Sequence, residues 1–238
     1  MEGRKTVGLA ARDTTGFLSP YSFNLRKTGA EDVVLKVLCC GIDHRDLHQM
    51  RNEIHGTKYP LVPGHEVVGE VVELGSEVKK LKVGDKVGVG CIIWACGKCC
   101  SCKSNLEQYC SQKIFTVNGT YEDGTPTHGG FSSAMKMCLD YILDTVPALH
   151  PLRSYLPVLK INNIILCNIW KKNTSGSFIG SIIEETQEIL EFQAEKGLTT
   201  MIEILRAGYV NEASERIERN DVRYRFVLDL DLAGSNLK

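Results

Sequence analysis

The chain has 238 residues, 43% of them hydrophobic and 24% charged, a length and composition that suit one large globular domain or two small ones with a buried core. Lys+Arg at 28 against Asp+Glu at 29 leaves a net charge of -1. No bulk field therefore draws the chain to nucleic acid, a membrane surface or an acidic polymer, and the partner expected is a small molecule.

In chain order, MEGRKTVGLAARD at the N-terminus is charged and lacks the apolar core of a signal peptide. No later run reaches the length that spans a bilayer, so the expected compartment is the cytoplasm. The first half reads as β-rich. Val33 to Cys40, His65 to Leu74, and Lys86 to Val89 after the Gly84-Asp85 turn are β-branched runs bounded by breakers. Arg45 to Ile54 has the texture of a short helix that Asp43 can cap.

From about Asp140 the texture changes to α/β alternation. Leu139 to Asp144 reads as a buried strand, Leu149 to Lys160 as a helix and Asn163 to Ile169 as another apolar strand. Ile182 to Lys196 carries apolar residues near helical spacing, with Gly197 placed as the left-handed stop. A helix over Val210 to Arg219 and a strand over Tyr224 to Leu230 complete the pattern, a mixed α/β fold.

The ten cysteines are concentrated in ACGKCCSCKSNLEQYC, Ala95 to Cys110, which holds five of them. In a chain of this length without an export signal, clustered cysteines point to metal rather than disulfides. Cys96, Cys99, Cys102 and Cys110 have the spacing C-x2-C-x2-C-x7-C, which lets one loop wrap four thiolates around a tetrahedral zinc at about 2.3 Å each. A closed four-sulfur shell leaves no position for water or substrate, so such a zinc is structural. Iron–sulfur ligation is the rival, disfavoured by the long gap after the third cysteine and the lack of a following Pro. Cys100 is expected to point outward, and Cys39, Cys40, Cys91, Cys138 and Cys167 to be small buried hydrophobes.

PLVPGHEVVGEVVELGSEVKKLKVGDKVGVGC (Pro60 to Cys91) and DVRYRFVLDL (Asp221 to Leu230), with the cysteine lobe, resemble the plant cinnamyl alcohol dehydrogenases of the zinc-dependent medium-chain family. The resemblance implies a GroES-like catalytic domain with two zincs and a Rossmann domain for NADPH. It also implies reduction of hydroxycinnamaldehydes to cinnamyl alcohols in lignin metabolism, and a homodimer built through the nucleotide domain. On that pattern residues 1–137 form the GroES-like domain with its zinc lobe at 91–112. Residues 138–196 are a Rossmann remnant, and 197–238 return to the catalytic domain.

Reduction of an aldehyde needs a Lewis acid on its oxygen, a hydride donor over its carbon and a proton route to the alkoxide. The resemblance implies a catalytic zinc at His65 and Glu66, the GHE pair. Asp43 stands where the family has a cysteine ligand; a carboxylate can bind zinc, and it can equally cap the following helix. At the relay position the family has a hydroxyl and this chain has Arg45, which cannot pass a proton at neutral pH; the relay histidine is kept as His48. His44 and Asp46 follow the family pattern, and His55, His128 and His150 read as ordinary polar or loop residues. Trp94 and Phe115 fall near the family's substrate-lining loops, although core packing accounts for either equally well.

Neither G-x-G-x-x-G nor a P-loop occurs anywhere in the chain. GGFSSAMKM runs at Cys138 into LDYILDTVPALHP, so that roughly a hundred residues of the family pattern are missing, the pyrophosphate cradle and the fourth zinc ligand among them. A smaller gap is expected between Trp170 and Ser175. Thr145, Ser177, Phe178 and Ile179 match positions that touch NADP(H) in the family; strand-end and turn packing is their competing explanation. Two readings follow. One is a reductase of aromatic aldehydes with damaged machinery, and the other is an inactive, truncated relative or gene-model product that keeps only a zinc-stapled GroES-like domain.

Overall fold

The computed structural model describes residues 4–138, 143–144 and 183–230. The expected elements at Leu149–Lys160 and Asn163–Ile169, the second gap, and Thr145, Ser177, Phe178 and Ile179 lie outside them.

The fold is organised by one long strand, β3 (Asp32–Ile42), whose residues are buried at nearly every position. An apolar run of this kind is what a strand covered on both faces needs. Two earlier strands, β1 (Lys5–Ala11) and β2 (Leu18–Asn24), form a separate antiparallel hairpin that the sequence pattern did not single out. Along one edge, β3 pairs antiparallel with β4 (Val67–Leu74), which pairs in turn with β5 (Lys86–Val89). The other edge is shared. Asp32–Lys36 pair with β8 (Ala134–Cys138), and Cys39–Ile42 pair with β11 (Phe226–Asp229).

Between β5 and β8 the chain leaves the sheet through a two-stranded ribbon, β6 (Ile92–Trp94) with β7 (Ile114–Phe115). The two-residue β9 (Leu143–Asp144) returns to pair with β5. The C-terminal part adds β10 (Glu203–Arg206), parallel to β11 at the sheet edge. The crossover between them is an amphipathic helix over Val210–Glu218. Its buried residues Val210, Ala213 and Ile217 recur at helical spacing and join the main core, which includes Leu35, Ile42, Met50, Phe131 and Phe226.

Among the described residues the α-helices are α1 (His44–Met50), α2 (Cys100–Lys103), α3 (Ile183–Lys196) and α4 (Val210–Glu218). α3 ends where expected, with Gly197 at φ +60. The helix expected over Arg45–Ile54 stops at Met50, because Asn52 and His55 adopt positive φ and turn the chain. The strand expected from His65 begins only at Val67, since Gly64 at φ +99 breaks the extended run and leaves His65 and Glu66 at its mouth. Among the described residues no helix is long and apolar enough to cross a membrane.

Candidate functional site

The register at the end of β3 builds the first cluster. Cys40 pairs with Val67 and with Leu228, and the Gly41 N–H donates to the Glu66 carbonyl at 2.9 Å. The residues just before β4 and β11 therefore meet beside the point where β3 turns into α1. Asp43 caps that helix, its Oδ1 accepting from the N–H groups of Arg45 (2.8 Å) and Asp46 (3.2 Å). Asp46 Oδ2 accepts from the Asp43 N–H at 3.2 Å, which completes a reciprocal capping box.

Asp46 has a second task. Its Oδ1 accepts from the Gly64 N–H at 3.0 Å and lies 3.2 Å from His65 Nδ1. The other imidazole nitrogen, Nε2, lies 3.7 Å from Asp43 Oδ2. Asp43, Asp46 and His65 are all buried, with ligand-type atoms within 4.8 Å of one another. Burial disfavours an imidazolium, but the Asp46 and Asp43 carboxylates outweigh it and raise His65 to about 10. For Asp46 burial is likewise outweighed, by His65 and two backbone N–H groups, and its carboxyl is held below the usual range.

Glu66 faces elsewhere. Its Oε1 accepts from the Arg225 guanidinium at 2.6 Å, an ion pair buried on both sides. Its Oε2 lies against Gly41, where a Cβ would approach it to 2.2 Å. Burial pushes the Glu66 carboxyl up, to about 8, with Arg225 opposing. The structure thus brings Asp46, and not Glu66, into the group around His65. In the sequence Asp46 follows the family pattern, with no link to His65 indicated. Its position three residues after Asp43 signals a capping box, and nothing local signals the contact to His65.

Asp43 Oδ2 and Glu66 Oε2 are both buried without a hydrogen-bond partner, and Asp43, Asp46 and His65 each bring a ligand-type atom to within 4.8 Å of the others. Asp46 orients the imidazole as a carboxylate does behind a metal-bound histidine. A catalytic zinc takes three protein ligands and keeps a further position open.

Arg45 and His48 project from the same helix. His48 is exposed and its Nδ1 lies 2.5 Å from Glu53 Oε2. The Arg45 guanidinium is 5.9 Å from the centre of the Phe115 ring. Trp94 packs against the main core from β6. His128, read from sequence as an ordinary loop residue, packs its ring 4.1 Å from that of Phe23.

The cysteine lobe is held at its base by the β6–β7 ribbon. Sγ–Sγ separations are 3.5 Å for Cys99–Cys102, 3.6 Å for Cys96–Cys110 and 3.9 Å for Cys96–Cys102. A tetrahedral zinc with sulfurs at about 2.3 Å sets its ligands about 3.8 Å apart, so the four sulfurs fit that ion. Backbone amides support the thiolate form. The Cys99 N–H donates to Cys96 Sγ (3.3 Å) and the Cys102 N–H to Cys99 Sγ (3.5 Å). N–H groups of Lys98 and Cys99 hold the Cys96 thiol down, to about 6, while burial pushes Cys102 up, to about 12. Cys100 is exposed, and Cys39, Cys40 and Cys91 are buried.

A cysteine-lobed, β-rich domain with a His-Glu pair at the mouth of its sheet defines a zinc-type alcohol dehydrogenase scaffold. Residues 29–145 match the alcohol dehydrogenase GroES-like domain. A probable cinnamyl alcohol dehydrogenase of Zea mays is 40% identical over 352 positions, covering 99% of this chain and 95% of that protein. The solved cinnamyl alcohol dehydrogenase SbCAD4 of Sorghum bicolor superposes with a TM-score of 0.83 at 28% identity, covering 99% of each chain. The Helicobacter pylori enzyme, solved with NADP(H), shares the fold with a TM-score of 0.79 at 21% identity and coverages of 97% and 99%. The chain belongs to the cinnamyl alcohol dehydrogenase family of oxidoreductases. An alignment of 352 positions against a chain of 238 residues also means that the maize relative carries stretches with no counterpart here.

Proposed function

We propose that this chain is a cinnamyl alcohol dehydrogenase-type protein in which the family reaction, NADPH-dependent reduction of hydroxycinnamaldehydes to cinnamyl alcohols, is impaired, and in which the zinc-stapled GroES-like domain is what persists. The observation that carries this reading is the state of the His65 cluster. Asp43 stands in the place of a thiolate ligand and caps α1, while His65 lies between two carboxylates. One zinc, held by Cys96, Cys99, Cys102 and Cys110, is structural. When bound it stabilises the lobe and offers no open position for chemistry.

Arg45 in the relay position supports the same conclusion, since a guanidinium does not pass protons at neutral pH. The missing Gly-rich turn removes the cradle on which a dinucleotide pyrophosphate rests. On this reading residues 1–137 are the GroES-like domain, 138–196 the remnant of a nucleotide-binding domain and 197–238 the returning segment. Thr145 and Ser177–Ile179 supply at most edge contacts to NADP(H). The substrate class remains the small aromatic aldehydes and alcohols of the family, the compartment is the cytoplasm, and the dimer interface is incomplete.

Titration of the purified protein with NADPH, together with a zinc count, tests this. Impairment predicts one zinc per chain and no saturable NADPH binding. Two zincs with micromolar NADPH binding and turnover of coniferaldehyde overturn it.

A further inference from the structure

Arg45 is partly buried, and its guanidinium lies over the face of Phe115, 5.9 Å from the ring centre. A second cation reaches the same ring. Lys113 Nζ lies 5.6 Å from its centre and donates to the Cys110 carbonyl at 3.2 Å. The nearby carboxylates face other groups. Asp43 turns to the α1 amides and to His65, Asp46 to Gly64 and His65, Glu66 to Arg225, and the Glu53 carboxylate to His48. A guanidinium offers five N–H donors in a planar fork that matches a carboxylate, and none of those donors has an acceptor among the described residues.

We infer that Arg45 and Lys113, which both reach the ring of Phe115, form an anion-recognising subsite for a planar aromatic carboxylate. The carboxylate would take the Arg45 fork, with Lys113 adding a point charge. This rests on the proposed reading that the site holds the family's phenylpropenal skeleton without reducing it. It adds that the oxidation level recognised is the acid and not the aldehyde. The residue position that in the family handles a neutral oxygen carries a permanent positive charge here, and the most direct acceptor for it is a ligand's own negative charge.

The test compares trans-cinnamate with its neutral isostere trans-cinnamamide, by calorimetric titration of the full chain without NADPH. A charge-assisted bidentate contact predicts that cinnamate binds at least about tenfold tighter, that Arg45→Gln removes the difference and that Lys113→Gln reduces it severalfold. Equal affinities in the wild type, no binding of either compound, or a preference unchanged in Arg45→Gln overturn the inference. Folding of Arg45→Gln is checked by circular dichroism and zinc content. If that variant fails to fold, Arg45→Lys replaces it, and a preference left undiminished by loss of the planar fork overturns the inference equally. Saturable NADPH binding would refute the proposed impairment while leaving this comparison unaffected, so the two failures are distinguishable.

Discussion

Arg225 donates to Glu66 at 2.6 Å across the end of β3, joining the residue that precedes β11 to the residue that precedes β4. The two are 159 positions apart in sequence. This pair fixes the returning C-terminal segment against the mouth of the sheet, and its energetics are those of a buried contact. Removing one partner leaves the other charge desolvated, so Arg225→Met is expected to cost about 3–5 kcal/mol in urea unfolding. The Arg225→Met/Glu66→Leu pair is expected to recover most of that loss. By contrast Arg51→Ala, which breaks the solvent-exposed pair with Glu218 linking α1 to α4, is expected to cost less than about 1 kcal/mol.

The cysteine lobe is expected to lose order separately from the sheet. The four sulfurs lie within 4.8 Å of one another, and chelation, or Cys102→Ser, is expected to release a zinc bound among them. Protease cleavage between residues 91 and 112 then accelerates, while far-UV circular dichroism of the β3-centred sheet changes little. A lobe equally resistant with and without metal would contradict the structural role of zinc.

Gly64 occupies a position closed to side chains. Its φ is +99, and a Cβ would come within 2.6 Å of the Phe131 ring and 2.8 Å of the Phe131 backbone nitrogen. Gly64→Ala is expected to destabilise the fold by about 2 kcal/mol or more through strain and overpacking together. Gly84, at φ +95 with open space around it, provides the control. Gly84→Ala carries the backbone strain alone and is expected to cost about 1 kcal/mol. Equal losses at the two positions would show that the Phe131 contact contributes nothing.

Burial lowers His128 from its ordinary value to about 4. A histidine with a lower pKa in the folded state than in the unfolded state takes up a proton on unfolding, so acid favours the unfolded chain. Stability is therefore expected to fall as pH drops from about 6.5 towards 4, and to be insensitive to this group above that window. Urea midpoints for the wild type and His128→Gln across pH 7 to 4.5 check the sign. The variant is expected to show a shallower decline, and an identical decline would exclude His128 as a source.

Local chemistry was enough to read several features from the chain itself. The four-cysteine spacing, the Asp43 cap and the Gly197 stop each lie within one or two helical turns, where spacing alone sets geometry. The break before the paired part of β4 and the early end of α1 were not legible in the same way. Both depend on positive φ at Gly64 and Asn52, which their neighbours impose.

What only the tertiary structure decided is which distant groups meet. β-ladder pairing brought Asp46 to His65, Arg225 to Glu66 and Arg45 to Phe115, over separations that no periodicity encodes. The sequence determined a dehydrogenase scaffold with a thiolate lobe and no Gly-rich dinucleotide turn. Long-range register determined that the histidine at the mouth of the sheet lies between two carboxylates, because strand pairing, and not residue type, sets what stands beside a buried charge.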